Sequence, residues 1–403
     1  TSISQNNFMG TGNRMSISLQ KNNTVQSYNF SFQDPYYTVD GVSRGFNIYH
    51  RKTDFSNQAF TSDYQTNTLG GNVSFGYPIS NNERLSFTLG ASDTEMFEGS
   101  VVPYEISTFI DEYGDKFREY SLGSSWKWSN LNRGLFPTEG AQQSLSFDLA
   151  IPGSDLTYYK LGYKADYYMS LVPDWSLRFR TELGYGDGYG GLDQLPFFKN
   201  FRAGGIGSVR GYRTSSLGPK GLPEYTLVDV VSTDSSGNPV FETDNLGRPV
   251  VDANAPSNVY YYDADGNIVR STNDAKYLPK YELNPNNGGV VVAPAYVESA
   301  DAIGGNILIE GSTELIFPLP FIEDQSSVRS VVFLDVGNVF TSQCYSPDDN
   351  EIPNFNSHPY CDEGIDLAEL RASAGVGVTW VTAIGPLTFT YSCLLSPSDA
   401  ADE

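Results

Sequence analysis

The residues best suited to a chemical role lie in one glycine-rich segment, Gly204-Gly205-Ile206-Gly207-Ser208-Val209-Arg210-Gly211-Tyr212. Arg210 is its single charged residue, and its four glycines allow the backbone to turn tightly and press against a neighbouring surface. A guanidinium forms bidentate, charge-assisted hydrogen bonds to carboxylates. The segment therefore favours ion pairing by Arg210 over a catalytic reaction.

Few other residues are candidates for catalysis or metal binding. The two histidines, His50 and His358, lack the neighbours typical of a nucleophile triad or a zinc site. The acidic segments 348–349 and 263–267 are candidate Ca²⁺ ligands, but the second lacks a complete twelve-residue loop with its final glutamate. Solvated acidic loops are the simpler interpretation of both. We expect no catalytic residues, no metal and no cofactor, and therefore no enzyme.

The acidic composition restricts the possible partners. The 403 residues include 25 Lys+Arg and 48 Asp+Glu, which gives a formal charge of −23. That charge repels phosphate backbones, so nucleic acid is an unexpected partner. The sequence has no run of the ~20 apolar residues that a transmembrane helix requires. Its richness in Tyr, Phe and Gly suits a transmembrane β-barrel and a β-sandwich equally.

Apolar and polar residues alternate in segment after segment. The one before the glycine-rich region has opposed faces: Leu177, Phe179, Leu183 and Tyr185 against Arg178, Arg180 and Glu182. Such alternation predicts strands, and no helical pattern is available to cover the apolar faces. Lipid outside and a polar lumen inside is the simpler solution. About fourteen such segments, from 2–6 to 387–394, predict an all-β, transmembrane antiparallel β-barrel that forms one domain over 1–403.

The connections alternate in length. Short turns at 78–83, 172–175 and 383–386 alternate with long polar connections at 53–64, 96–116, 188–304 and 341–366. Short turns at one rim and long loops at the other are typical of outer-membrane barrels, whose long loops lie outside the cell. Within the insertion 188–304, turn signals at 234–239 and 263–267 predict small surface hairpins.

The cysteine spacing predicts one disulfide bond. Cys344 and Cys361 bracket a polar segment, and a disulfide across it indicates an oxidising compartment. The alternative is two exposed thiols. Cys393 is left unpaired.

Several segments resemble the BamA family of outer-membrane barrels. The turns at 34–43 and 133–140, the strand end at 184–188 and the strand at 333–337 are similar to family segments in the same order. Gly204-Gly205 followed by Val209-Arg210-Gly211-Tyr212 is similar to the motif of the family's sixth loop. The resemblance implies sixteen strands with loop 6 folded into the lumen. It also implies that the family's periplasmic POTRA domains and its first and last strands are absent from this sequence.

The resemblance also implies a function and a location. Members of the family fold and insert barrel proteins in the outer membrane of Gram-negative bacteria, as the central subunit of an assembly machine with a lateral seam. The implied partners are unfolded outer-membrane β-barrel substrates, accessory assembly lipoproteins, the lipid bilayer and lipopolysaccharide. Three alternatives remain open: a related TamA-like or two-partner secretion translocase, a passive porin, and a soluble β-sandwich adhesin or enzyme.

The same resemblance suggests partners for Arg210. By alternation, Glu314 lies on the polar face of its strand, and Asp335 lies on the inner face of the next strand with Arg329. Arg210 is expected to bond one or both carboxylates and hold the loop tip against the inner wall, because an unpaired buried guanidinium costs several kcal/mol. The alternative is a solvated Arg210 with two ordinary lumen acids.

Overall fold

We describe the protein from a computed structural model. The structure describes residues 2–54, 64–98, 102–222, 226–228, 230–231, 234–235, 240–250, 261–262, 268–270, 281–282, 290–292, 302–319, 327–345, 361–382 and 385–396. These residues fall into two compact units. The first comprises Thr1–Gly221, Ser299–Cys344 and Tyr360–Glu403, and the second comprises Leu222–Glu298 and Tyr345–Pro359. The predicted single domain over 1–403 stays a prediction.

The first unit contains one sheet of fourteen strands in which sequence neighbours pair with each other. All pairs are antiparallel, and the strands pair in the order in which they follow one another along the chain. The strands are β1 (Ser2–Gln5), β2 (Arg14–Lys21), β3 (Val25–Asp34), β4 (Ser43–Asp54), β5 (Tyr64–Ser80), β6 (Glu83–Glu98), β7 (Lys116–Ser129), β8 (Gly140–Ala150), β9 (Tyr158–Val172), β10 (Trp175–Gly188), β17 (Ile307–Phe317), β18 (Val328–Phe340), β19 (Arg371–Thr382) and β20 (Gly385–Leu394).

The described residues of the second unit form three two-stranded antiparallel sheets. Their strands are β11 (Thr226–Val228), β12 (Val230–Val231), β13 (Tyr261–Tyr262), β14 (Ile268–Arg270), β15 (Tyr281–Glu282) and β16 (Val290–Val292). β13 pairs with β14 on either side of residues 263–267, where the sequence predicts a hairpin turn. The turn residues themselves, and most of the predicted turn at 234–239, lie outside the described residues.

The faces of the sheet show why these segments form strands. In β18, Val332 and Leu334 are 44% and 45% exposed, whereas the alternate residues Phe333 and Asp335 are 2% and 0% exposed. Exposed apolar side chains recur on the outward face of the other long strands, as at Leu89, Leu122, Leu145, Leu161, Phe179, Leu183, Val376 and Phe389. A surface of this kind is stable against acyl chains and not against water. The predicted transmembrane antiparallel β-barrel is confirmed, and fourteen of the described strands form its sheet.

Several strands are longer than the nine to eleven residues expected for a membrane crossing. β5, β6 and β9 have 17, 16 and 15 residues. β5 continues through Pro78 to Ser80, so the turn predicted at 78–83 is reduced to its two asparagines. The pairing of β5 with β6 reaches Tyr64 and Glu98, well beyond the span of the alternating pattern. Cross-strand pairing therefore extends these strands past the membrane-sized segment.

One helix, α1 (Tyr104–Tyr113), lies in the connection between β6 and β7, where the sequence predicts only a polar loop. Its buried Ile106 packs in a cluster with Tyr64, Phe117 and Phe197. Phe109 of α1 stacks edge-on against Phe197, with ring centroids 5.3 Å apart. Short 3-10 turns occur at Phe8–Gly10, Phe197–Lys199 and Leu367–Glu369. Within the described ranges, no helix combines the length and apolarity needed to cross a membrane.

Candidate functional site: the arginine anchor of the long loop

The loop tip, residues 204–212, lies against the inner face of β17 to β20. Val209 is 1% exposed and packs with Leu308 and Val339. Gly211 has a φ of +98°, and a Cβ there would lie 2.9 Å from Ser392 Oγ of β20. A side chain at Gly211 would therefore push the tip away from the wall, which explains the glycine.

Arg210 bonds Asp335 through both its backbone and its side chain. The backbone N–H and Nε donate to Asp335 Oδ2 at 3.0 Å and 2.6 Å, and Nη2 donates to Oδ1 at 2.7 Å. Asp335 is 0% exposed, and Ser312 also donates to it at 2.6 Å. Ser312 and Asp335 are directly paired in the β17–β18 register, so the sheet presents both to the loop at one point.

Glu314 lies among three arginines. Its Oε1 is 2.8 Å from Arg210 Nη1, and its Oε2 is 3.0 Å from Arg178 Nη1 and 3.7 Å from Arg329 Nη2. Arg178 of β10 is paired in register with Glu314, and it bonds Asp166 of β9 at 2.5 Å and 2.9 Å. Glu314 therefore links the loop tip to a charge network that extends over β9, β10, β17 and β18.

The Arg210 guanidinium also contacts the ring of Phe333. The Arg210 Cζ lies 3.6 Å from the centroid of the Phe333 ring. A cation over an aromatic face at this distance is attracted by the ring quadrupole, and more strongly where water is excluded. Burial opposes the charge of Arg210, but the hydrogen bond to Asp335 and the charge of Glu314 outweigh it, so the pKa of Arg210 is raised. The anchor is therefore a fully charged group at neutral pH.

Two further contacts hold the tip beside Arg210. The Ser208 hydroxyl donates to Glu310 of β17, and the Tyr212 hydroxyl donates to the carbonyl oxygen of Ala372 in β19 at 3.4 Å. The Ser208 hydroxyl also accepts from the backbone N–H of Gly204 at 2.8 Å, which closes the turn on itself. Together with the bonds of Arg210 to Asp335 in β18, these contacts tie the tip to three neighbouring strands.

The base of the loop contacts the opposite part of the sheet. Its two limbs are joined by paired backbone hydrogen bonds between Phe201 and Gly305, at 2.8 Å and 3.2 Å. Lys199 Nζ bonds Glu119 of β7 at 2.8 Å, and Arg202 Nη2 lies 3.3 Å from the Tyr64 hydroxyl of β5. Because one loop contacts β5 and β7 as well as β17 to β20, it occupies the concave, inner side of the sheet.

The other candidate residues are placed as follows. Cys344 and Cys361 form the predicted disulfide, with their Cα atoms 6.0 Å apart, and Cys393 is a free, exposed thiol. His50 Nε2 lies 2.7 Å from Asn67 Oδ1 in a strand pair. His358 and the acidic segments 263–267 and 348–349 lie outside the described residues. Among the residues that the structure does describe, no group of three or more His, Cys, Asp and Glu side chains is placed to hold a metal ion.

Alternation alone could not place three members of the network. Arg178 and Arg329 are recognisable from the sequence as inner-face residues, but not as partners of the acid that faces Arg210. In the sequence, nothing distinguishes Phe333 from the other apolar residues of its strand. Knowledge of the β10–β17 register would have identified Arg178 as a partner of Glu314, which lies 136 positions away in the sequence.

The fold and the site together define the class of this protein, a membrane β-barrel whose long loop is anchored inside by an arginine. Comparison with known proteins shows the family to which it belongs. The Omp85 superfamily domain matches residues 7–402. The chain belongs to the Omp85 superfamily.

Individual relatives refine this placement. The chain is 28% identical over 407 residues to the outer membrane protein assembly factor BamA of Neisseria meningitidis serogroup B, covering 97% of this chain and 42% of the relative. It is 28% identical to the crystal structure of Haemophilus ducreyi BamA lacking POTRA domains 1–3, with a TM-score of 0.71, covering 98% of this chain and 63% of that one. CdiB from Acinetobacter baumannii gives 12% identity and a TM-score of 0.46, covering 99% of this chain and 53% of that one.

These comparisons confirm two predictions from the sequence. The resemblance to BamA is confirmed, and so is the location in the bacterial outer membrane. The chain spans less than half the length of the Neisseria relative that it matches.

Proposed function

We propose that this barrel folds and inserts other β-barrel proteins in the outer membrane, as the central subunit of an assembly machine. The observation that carries the proposal is the anchored loop tip, in a chain that is 28% identical to an assembly factor over 97% of its length. A loop tied to the inner wall by Arg210 blocks part of the lumen. That arrangement suits a protein that acts on its substrates at the wall more than one that conducts solutes through the lumen.

The mechanism that we propose contains no chemical step and no catalytic residue. The barrel would open at a lateral seam, and an exposed strand edge there would pair with an incoming strand by β-augmentation. The pairing would satisfy backbone N–H and C=O groups that lipid cannot, which removes the largest cost of insertion. A short apolar belt beside the seam would thin the bilayer and lower the barrier further.

The role that we propose for the arginine anchor is to keep the wall rigid while the seam moves. Arg210 bonds Asp335 of β18 and Glu314 of β17, and Tyr212 reaches β19. These strands would then keep a fixed register as other strands separate. The proposed partners are unfolded barrel substrates, accessory assembly lipoproteins, and the lipids and lipopolysaccharide of the outer membrane.

Reconstitution tests this function. Liposomes that hold the purified protein receive an unfolded barrel protein, and the heat-modifiable folded band is compared with that from empty liposomes. We expect a higher folded yield with the protein and a reduced yield with Arg210→Ala. Arg248→Ala is the matched control, because Arg248 is a long-loop arginine whose side chain is 70% exposed and which pairs with Asp244 on the surface. Equal yields with and without the protein would defeat the proposal.

Conductance separates this function from the passive porin. An anchored loop predicts small, irregular currents across a planar bilayer, whereas an open pore gives large and steady ones. Large, steady currents from the unaltered protein, together with no gain in folded yield, would favour the porin.

A further inference from the structure

We propose that a cavity beside the arginine anchor binds a small oxyanion, a carboxylate or a phosphate group, with Arg329 as its main donor. The cavity has a volume of about 180 Å³. It is bounded by the inner faces of β10 and β17 to β20 and by Phe136, from the connection between β7 and β8. Its polar lining includes Arg329, Thr379, Thr388 and Thr390.

Arg329 supplies hydrogen-bond donors that the protein does not use. Its side chain is 13% exposed, and its one ion pair within the described residues is the long contact of 3.7 Å with Glu314. Its Nη2 is buried and makes no hydrogen bond to any described residue. The N–H donors of Nη2 are therefore buried without a hydrogen-bond partner, which is costly. An oxyanion in the cavity would satisfy them.

Aromatic rings fix the orientation of this guanidinium. Arg329 Cζ lies 5.5 Å from the Tyr168 ring centroid and 5.9 Å from that of Phe136. Contacts of this kind favour the charged group without using its N–H donors. Because the fork is held before any ligand arrives, less side-chain entropy is lost on binding.

The charge lining the cavity is positive, although the chain as a whole is acidic. Arg178, Arg210 and Arg329 line it, and Glu314 is the one lining carboxylate. Asp335 pairs with Arg210 and Asp166 pairs with Arg178, and neither acid is part of the lining. Arg329 is therefore the lining guanidinium whose charge is least compensated, and its charge favours an anionic ligand.

The strand register adds hydroxyl groups in a row with Arg329. Arg329 pairs with Thr379, and Thr379 pairs with Thr388, so the three lie side by side on the inner face. In the next row, Gly377 pairs with Thr390, and both residues line the cavity. The hydroxyl oxygens of Thr379 and Thr388 are 3.1 Å apart and share one hydrogen bond, so one of the two hydroxyls can still donate to a ligand beside the cation.

This inference does not depend on the proposed function, because it concerns a binding site in the lumen and not the insertion of substrates. Binding is measured on the purified protein in detergent at constant ionic strength. Inorganic phosphate is followed by the broadening of its ³¹P resonance, and acetate is followed by ¹H saturation transfer from the protein. Competition between the two shows whether they share a site.

We expect excess broadening with the unaltered protein and at least a tenfold loss of affinity in Arg329→Gln. Arg329→Lys keeps the charge without the fork and should bind with intermediate affinity. Thr390→Val should also weaken binding, which gives a second variant if Arg329→Gln fails to give the heat-modifiable folded band. Arg14→Gln is the control, since it removes one positive charge at an exposed residue of β2 and should bind as the unaltered protein does.

The outcomes are separable. Binding of both anions in competition identifies a general oxyanion site, binding of acetate alone identifies a carboxylate site, and binding of phosphate alone identifies a phosphate site. No binding by the unaltered protein, or equal binding by a folded Arg329→Gln variant, would overturn the proposal. A protein that fails to insert substrates but binds the anions leaves this site standing and removes only the proposed function.

Discussion

Replacing Arg210 by alanine should release the loop tip from the inner wall. The change removes the two side-chain hydrogen bonds to Asp335, the bond to Ser312, the ion pair with Glu314 and the contact with Phe333. The backbone N–H of residue 210 can still donate to Asp335. The consequence should be local, because the fourteen strands are held by their own pairing.

The loss of docking free energy depends on the carboxylates that stay buried without Arg210. Breaking one side of a buried ion pair costs about 3–5 kcal/mol, because the partner charge is left uncompensated. Glu314 keeps Arg178 at 3.0 Å, whereas the 0% exposed Asp335 keeps only the Ser312 hydroxyl and the loop backbone. Because Glu314 stays paired and Asp335 keeps two hydrogen bonds, we take the lower end of that range, about 3 kcal/mol. This free energy corresponds to a change of about 150-fold in the docking equilibrium of the loop tip.

Hydrogen exchange followed by mass spectrometry measures this equilibrium directly. Peptides that cover 203–217 should exchange about 150-fold faster in Arg210→Ala, whereas peptides from β5 and β6 should keep their protection. Arg248→Ala serves as the control and should leave 203–217 unchanged. In the double variant Arg210→Ala with Asp335→Ala, the two losses should fall well short of their sum, because both remove the same contacts.

Unchanged exchange at the loop tip would contradict this prediction. If 203–217 exchanged at the same rate in Arg210→Ala as in the unaltered protein, the anchor would contribute no docking energy. The packing of Val209 and the hydroxyl of Tyr212 would then hold the tip by themselves. Faster exchange everywhere would instead indicate that the barrel itself had been destabilised.

Three further predictions concern other parts of the fold. A maleimide should label one thiol per unfolded chain, Cys393, and three after reduction, because Cys344 and Cys361 are joined; three labels before reduction would contradict the disulfide. Leu334→Arg, on the lipid face of β18, should lower the free energy of unfolding in liposomes by about 2–4 kcal/mol in a urea titration, and no change would argue against contact with lipid. Ile106→Ala should speed exchange of the α1 amides, since removing a fully buried isoleucine costs about 2–5 kcal/mol, while 203–217 stays protected.

The sequence alone determined the strands, their faces and the disulfide. Apolar and polar residues alternate with a period of two because lipid and lumen impose opposite requirements on successive side chains. The alternation is therefore visible within each strand, without knowledge of the neighbouring strands. The same alternation put Glu314 and Asp335 on the inner face, and the structure places Arg210 within 2.8 Å of the first and 2.6 Å of the second. The disulfide followed from a short polar loop between two cysteines.

The tertiary structure alone decided which inner-face residues meet. The pairing of Arg178 with Glu314 depends on the β10–β17 register, across a long insertion whose length no local pattern constrains. α1 forms in a connection that reads as a polar loop, because Ile106 and Phe109 find apolar partners in the distant residue Phe197. The cavity beside Arg329 is likewise lined by residues of β10, β17, β19 and β20, which lie on other strands. Local patterns specify the face that a residue occupies, whereas its neighbours across the sheet are fixed only when strands far apart in sequence settle into one register.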